Sequence, residues 1–247
     1  TASMRSSRVI GGSLVVDPST KKAAVVVVTK RPWLAEHVGR MIAWQTRQPT
    51  LVVICSAVAD YDLAPITKLV SVPVEFVLAD PALVLGDLRN FAMQAAAARA
   101  DDDTILCSVD DDDCYGKRYL EGIIDGWCRH PHAAVIGRAC WDTVTVSVAP
   151  TVPLEPRTPT GAGPLSGIAG ATISIPAATW RARPDLRYPS VRTGEDLGLL
   201  EIARRTRGVV SAYFGDFTAL RWTDDKHAHT SNNQGLVPNR FTIGKRR

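Results

Sequence analysis

The stretch Thr104-Ile105-Leu106-Cys107-Ser108-Val109-Asp110-Asp111-Asp112-Asp113 decides the fold. Its first six residues form an apolar, partly β-branched run. Such a run reads as a strand buried on both faces, and strands of that kind belong to parallel sheets. The strand runs directly into four consecutive carboxylates. In open α/β sheets ligands gather beyond the carboxyl ends of the strands, so the acidic run is expected at the functional end. A second acidic group, Asp101–Asp103, precedes the strand. At about 3.3 Å per residue the strand holds the two groups roughly 20 Å apart, so they cannot share one site. Asp101–Asp103 reads as a solvated turn.

Similar strand patterns recur upstream. Ala23–Val28, Leu51–Ile54 and Val74–Leu78 read as three further strands. Helical patterns separate them. Leu34, Val38, Met41 and Ile42 fall on one helical face, Ala64–Val70 is a short helix, and a longer helix covers Asp87–Arg99. The inner face of that last helix is expected to be Leu88, Phe91, Ala92, Ala95 and Ala96. Alternation of strand and helix over the first 110 residues is the signature of a doubly wound α/β sheet. Downstream, helices are expected at Arg118–Trp127 and Thr193–Thr206, the latter with Leu199, Ile202 and Ala203 inward. Strands are expected at Ala133–Ile136 and Ala171–Ile175. Pro150–Gly167 holds five prolines and three glycines and reads as a long loop, either a lid over a bound ligand or a linker across the sheet edge.

Composition narrows the function classes. The chain has 247 residues with 29 Lys+Arg and 25 Asp+Glu, a formal net charge of +4. Seven of the 25 acids lie within residues 101–113, which leaves 18 against 29 bases, an excess of +11 elsewhere. The bases are dispersed rather than gathered in one helix or stripe, so nucleic acid is not expected as the main partner. Five scattered cysteines without a CxxC pair argue against a disulfide framework and a structural zinc site, and a reducing, cytoplasmic setting is expected. No apolar run approaches the roughly 18–20 residues of a membrane span.

Four successive carboxylates at the end of a buried strand repel one another unless a cation compensates. Hard divalent ions such as Mg²⁺ and Mn²⁺ take carboxylate oxygens, commonly together with substrate phosphate oxygens. The alternative is a polar loop with its acids in water, and the position after an apolar strand favours the metal.

Here the chain resembles family 2-type nucleotide-sugar glycosyltransferases of the GT-A fold. Ile105–Asp113 followed by Leu120 is similar to their strand-DxDD-helix segment. Gly86-Asp87-Leu88-Arg89-Asn90 with the Ala95–Ala98 run resembles their Gly-x-x-Arg-Asn helix. The strand ending Val28-Thr29-Lys30-Arg31 is similar to their N-terminal nucleotide-binding unit, and Gly194-Glu195-Asp196 to their "ED" motif. The resemblance runs in order from about Ala23 to His229. It implies a GT-A-like α/β fold over residues 20–235, with a Rossmann-like nucleotide-binding half at 20–113 and an acceptor-binding half at 114–235 in a single domain. Residues 1–19 would be an N-terminal arm and 236–247 a basic C-terminal tail.

The resemblance also implies roles. The activity would be metal-dependent transfer of a sugar from a nucleotide-diphosphate donor to an acceptor hydroxyl, with inversion, and with Mn²⁺ or Mg²⁺ as cofactor. Asp110 would hydrogen-bond the ribose or help hold the metal, and Asp112 would ligate it. Asp111 lies on the donor side, although in a run of four Asp111 and Asp113 can substitute for their neighbours. Thr29 and Arg31 would sit beside the base and phosphates, and Arg89, Asn90 and Glu195 near the nucleotide and donor sugar. Asp196 would be the general base; it also fits a capping box opened by Thr193. His229, or His227, would approach the metal. Trp222, like Trp180, is either a packing residue or a stacking platform for the acceptor. Where the family often carries an Asp for a uracil ring, this chain has Cys55-Ser56, so Ser56 is the donor-side residue there and the base is left open among uridine, thymidine, cytidine and guanosine.

Rival readings have their own signatures. A sugar nucleotidyltransferase would carry a glycine-rich basic loop after the first strand, and Thr29–Trp33 has no glycine. A non-enzymatic polyanion binder would gather its bases. A retaining transferase would not need Asp196 as base. The acceptor and the oligomeric state have no signature in the sequence.

Overall fold

The β-branched runs of the first 110 residues form four parallel strands, in a computed structural model that describes residues 18–138, 142–147, 149–152, 168–206, 208–211 and 217–222. In chain order the elements are β1 (Lys22–Val28), α1 (Ala35–Ala43), β2 (Leu51–Ser56), α2 (Ala64–Thr67), β3 (Val74–Leu78), α3 (Leu85–Arg99) and β4 (Thr104–Asp110). There follow β5 (Cys114–Tyr115), α4 (Tyr119–Arg129), β6 (Val135–Gly137), β7 (Asp142–Val146), β8 (Ser174–Pro176), α5 (Ala177–Ala182), α6 (Glu195–Thr206), β9 (Val209–Ser211) and β10 (Phe217–Trp222).

The main sheet has the order β3-β2-β1-β4-β8-β6-β9. Strands β3, β2, β1 and β4 are parallel, and β8 runs antiparallel to both β4 and β6. The chain builds outward from β1 to β3 and then returns to the other side of β1 with β4. Strand order therefore reverses between β1 and β4, the place where open α/β sheets bind ligands. Val28 is in register with Asp110, so both strands end there together. A small second sheet, β5-β10-β7, stands over the end of β4.

Side chains alternate across β1 with the two-residue period of a strand. Ala23, Val25 and Val27 join the core with Val38, Met41 and Ile42 of α1 and Ile123 and Trp127 of α4. Ala24 and Val26 join the opposite core with Ala92, Met93 and Ala96 of α3, Trp180 of α5 and Leu199 of α6. Burial of each large aliphatic residue contributes about 1.5–3 kcal/mol, so the two layers hold the sheet from both faces.

Several expectations change. Phe91 is 41% exposed, and α3 instead buries Gly86, Arg89, Ala92, Met93, Ala96 and Ala97. The Ala95–Ala98 run is apolar all round and does not fix the helix phase, which Ala92 and Met93 set by packing in the core. The expected strand Ala171–Ile175 is a 3-10 turn at Gly170–Thr172 followed by the short β8. Helix α6 begins at Glu195 after Gly194, whose φ is +76°, so Thr193 is not its cap and Asp196 lies one residue nearer the helix start than a capping box places it. Trp180 is completely buried, with Arg187 Cζ 4.1 Å from its ring centroid, which makes it a packing residue. Asp101–Asp103 is exposed but tied down: Asp101 pairs with Lys22, Asp103 with Lys21 and Asp102 with Arg181. Arg181 also donates to Ala100 O at 3.0 Å, closing the end of α3. The stretch 153–167, the N-terminal arm through residue 17 and everything after Trp222 lie outside the described residues.

Candidate active site

Chain direction gathers the acidic run and the end of β1 at one point. Beyond β1, Thr29 N still donates to Cys55 O at 2.9 Å, which carries the register past the strand. Thr29 Oγ1 accepts from Arg31 N at 3.0 Å and donates to Asp111. Arg31 lays its fork across two aspartates. Nε meets Asp111 Oδ2 at 3.0 Å, Nη2 meets Asp111 Oδ1, and Nη1 meets Asp112 Oδ2 at 2.8 Å. Asp111 has no exposed surface. Burial opposes the Arg31 charge, but Asp111 and Asp112 more than offset it and raise its pKa.

A second arginine grips the run from α3. Arg89 Nη1 and Nη2 donate to the two oxygens of Asp110 at 3.1 and 3.4 Å, and its Nε donates to Glu195 Oε1 at 3.0 Å. Burial pushes the Glu195 carboxyl above its ordinary pKa, with Arg89 opposing. The backbone of the run is held too. Asp110 N donates to the hydroxyl of Tyr115, which donates onward to Ala171 O at 2.7 Å. Leu220 N of β10 donates to Asp113 Oδ1 at 3.0 Å, and the imidazole of His37 lies 2.8 Å from Asp113 O.

Asp110, Asp112 and Asp113 each offer a carboxylate oxygen, and these oxygens lie within 4.8 Å of one another. Burial, then the charges of Asp112 and Asp110, hold the Asp113 carboxyl well above the usual carboxylate range. Arg31 meets Asp111 and Asp112, and Arg89 meets Asp110 and Glu195. Among the described residues the donors are hard carboxylate oxygens, which suit Mg²⁺ or Mn²⁺.

The predicted site residues fall into distinct places. Thr29, Arg31, Asp111 and Asp112 form one cluster, and Arg89, Asp110 and Glu195 a second that shares the acidic run. Asn90 faces away from it: its amide exchanges hydrogen bonds with the backbone of Tyr188, Nδ2 to O at 2.8 Å and Oδ1 from N at 2.9 Å. Ser56 is fully buried at the end of β2, where its Oγ accepts from Val58 N at 3.1 Å. Asp196 stands in the first turn of α6 against Gly170, where an added Cβ would lie 2.6 Å from Asp196 Oδ2. Trp222 closes β10. His227 and His229 lie outside the described residues. Sequence reasoning did not single out Tyr115, Tyr188, His37 or Gly170; lone aromatic, His and Gly residues carry no spacing signal.

No family model matches the chain. No curated protein matches it either. Solved structures do. S. aureus TarS 1-349 matches at 17% identity with a TM-score of 0.56, covering 81% of this chain and 60% of that one. The same protein in complex with UDP-GlcNAc matches at 17% identity over 84% of this chain and 61% of that one, again with a TM-score of 0.56. The mannosyltransferase PcManGT from Pyrobaculum calidifontis, in complex with GDP-Man and Mn2+, matches at 12% identity with a TM-score of 0.53, covering 85% and 60%. The chain thus spans less than two thirds of the length of these structures. At such identities the likeness concerns the fold: the chain is a mixed α/β protein with a mostly parallel central sheet, the fold of the glycosyltransferase structures it matches.

Proposed function

We propose that the chain is a metal-dependent glycosyltransferase that moves a sugar from a nucleotide-diphosphate donor to an acceptor hydroxyl with inversion. The observation that carries this reading is the convergence of Asp110, Asp112 and Asp113 at the carboxyl end of β4, beside the end of β1 at the strand-order reversal. The neighbours' ligands support it: UDP and UDP-GlcNAc with TarS, and GDP-Man with Mn2+ in PcManGT.

Asp110, Asp112 and Asp113 would hold Mn²⁺ or Mg²⁺. Such an ion, when bound, neutralises charge on a departing diphosphate. Thr29 and Arg31 stand at the same end of β1 and would sit beside the base and phosphates, where Arg31, itself buried, holds Asp111 and Asp112 in place. His229 is kept as a further candidate ligand, Ser56 as a donor-side residue and Trp222 as an acceptor contact. Asp196 would take the acceptor's proton as its oxygen bonds to the anomeric carbon and the bond to the diphosphate oxygen breaks.

The test uses UDP-GlcNAc and GDP-mannose as donors and follows release of nucleoside diphosphate with Mn²⁺. Asp196→Asn is expected to keep nucleotide binding and to lose at least about a hundredfold in turnover. Full turnover in that variant would remove Asp196 as base, and absence of turnover by the wild type with every donor tried would remove the activity.

A further inference from the structure

The start of α3 spends its side chains on one short segment, residues 188–195. Gly86 N donates to Val191 O at 3.1 Å, and a Cβ on Gly86 would lie 1.8 Å from Pro189 O, so only glycine permits this approach. Asp87 accepts from Ser190 Oγ at 2.6 Å. Arg89 reaches Glu195, and Asn90 exchanges two hydrogen bonds with the Tyr188 backbone. The segment between α5 and α6 has no repeating hydrogen bonds of its own over residues 188–194, so these contacts set its path. It leads directly into Asp196. Through Arg89 the same helix holds Asp110 on its other side.

We propose that Arg89, Asn90 and Glu195 are positioning residues that fix Asp196 relative to Asp110, and that they do not bind the donor themselves. This rests on the reading of Asp196 as base. Asn90 is turned toward the segment rather than the acidic run, its oxygen accepting one bond from the Tyr188 backbone and its nitrogen donating another to it. Glu195 is 5% exposed and Arg89 is 8% exposed, and each is turned toward the other. Glu195 and Asp196 are successive on one helix, where a residue turns by about 100° and rises by about 1.5 Å. Any roll of α6 that frees Glu195 therefore swings Asp196 with it. A misplacement of about 1 Å at a reacting group costs on the order of a hundredfold in rate, so a clamp of this kind acts on turnover rather than on donor affinity.

Three variants test it: Asn90→Ala, Glu195→Gln and, as a surface change that disturbs no buried charge, Ser190→Ala. The readouts are amide hydrogen exchange, affinity for UDP and for GDP with Mn²⁺, and kcat and KM for diphosphate release from UDP-GlcNAc or GDP-mannose. Expected is exchange faster by about tenfold or more across residues 188–199 in the first two variants, a smaller change in the third, and none in β1 and β4. Nucleotide affinity and KM should stay within about threefold while kcat falls by about tenfold or more. Loss of nucleotide affinity with unchanged exchange would overturn the proposal, because these residues would then contact the donor. Wild-type kcat with a loosened segment would overturn it as well. Failure of the wild type to bind either nucleotide would instead refute the transferase reading, and the exchange data would still decide whether α3 holds the segment.

Discussion

Arg31 Nη1 lies 2.8 Å from Asp112 Oδ2, and both residues are more than nine-tenths buried. The rest of the guanidinium is spent on Asp111, so one side chain offsets the two middle carboxylates and pins the acidic run to the end of β1. Breaking a buried pair by removing one partner costs about 3–5 kcal/mol, because the remaining charge is left uncompensated. Arg31→Gln is expected to lower the urea midpoint accordingly. Added Mn²⁺ should restore part of the loss, since an ion that binds only the folded state stabilises it. An unchanged midpoint would show that the fork contributes nothing.

Gly86 sits inside a helix, where alanine is ordinarily more favourable by about 1 kcal/mol. Here the added carbon would meet Pro189 O at 1.8 Å and Pro189 C at 3.0 Å, both backbone atoms. Gly86→Ala is therefore expected to destabilise by about 1–3 kcal/mol, the usual range for overpacking, as read by chemical denaturation. A gain in stability would contradict the docking of the 188–195 segment on α3.

Gly170 faces Asp196 in the same way: an added Cβ would lie 2.6 Å from Asp196 Oδ2 and 2.9 Å from its Cβ, so the start of α6 must give as well as the carboxylate. Gly170→Ala should destabilise by about 1–3 kcal/mol, as overpacking does. Turnover should fall about tenfold or more as the carboxylate is pushed aside, with nucleotide affinity unchanged. Calorimetry and a diphosphate-release assay on the same preparation separate these outcomes.

Burial pushes the Cys55 thiol up to about 11 and the Cys107 thiol up to about 12. Both values exceed the roughly 8.5 of a free thiol, so above that pH the unfolded chain releases protons that the folded chain retains. Stability is accordingly expected to be flat in these groups up to about pH 8.5 and to fall as pH rises toward 11, by at most about 1.4 kcal/mol per pH unit for each thiol. Urea midpoints at rising pH measure the slope, and Cys55→Ala should flatten it.

Strands β1, β2 and β4 were legible in the sequence because strands buried on both faces are written as apolar runs, whereas the edge strand β3 carries Glu75 and is only half-buried. The position of the acidic run at a strand's carboxyl end followed from the same pattern. What the residues near it do was less legible. Arg89 and Asn90 stand out as an adjacent pair, yet nothing local says whether they point at a ligand or at the chain; that depends on Tyr188 and Glu195, about a hundred residues away. The phase of α3 was hidden by its alanines. The small sheet was hidden by brevity, since β5 has two residues and its place is set by pairing with β10 and by the bond from Leu220 N to Asp113.

Metal-dependent nucleotide binding separates a metal site at the end of β4 from an acidic turn. Isothermal titration of UDP and of GDP, each with and without Mn²⁺, should reveal binding of at least one of them, weakened by about tenfold or more both when the metal is withheld and in Asp112→Asn. Absence of binding by either nucleotide, or binding equally tight without the metal and in Asp112→Asn, would contradict a metal site at the end of β4.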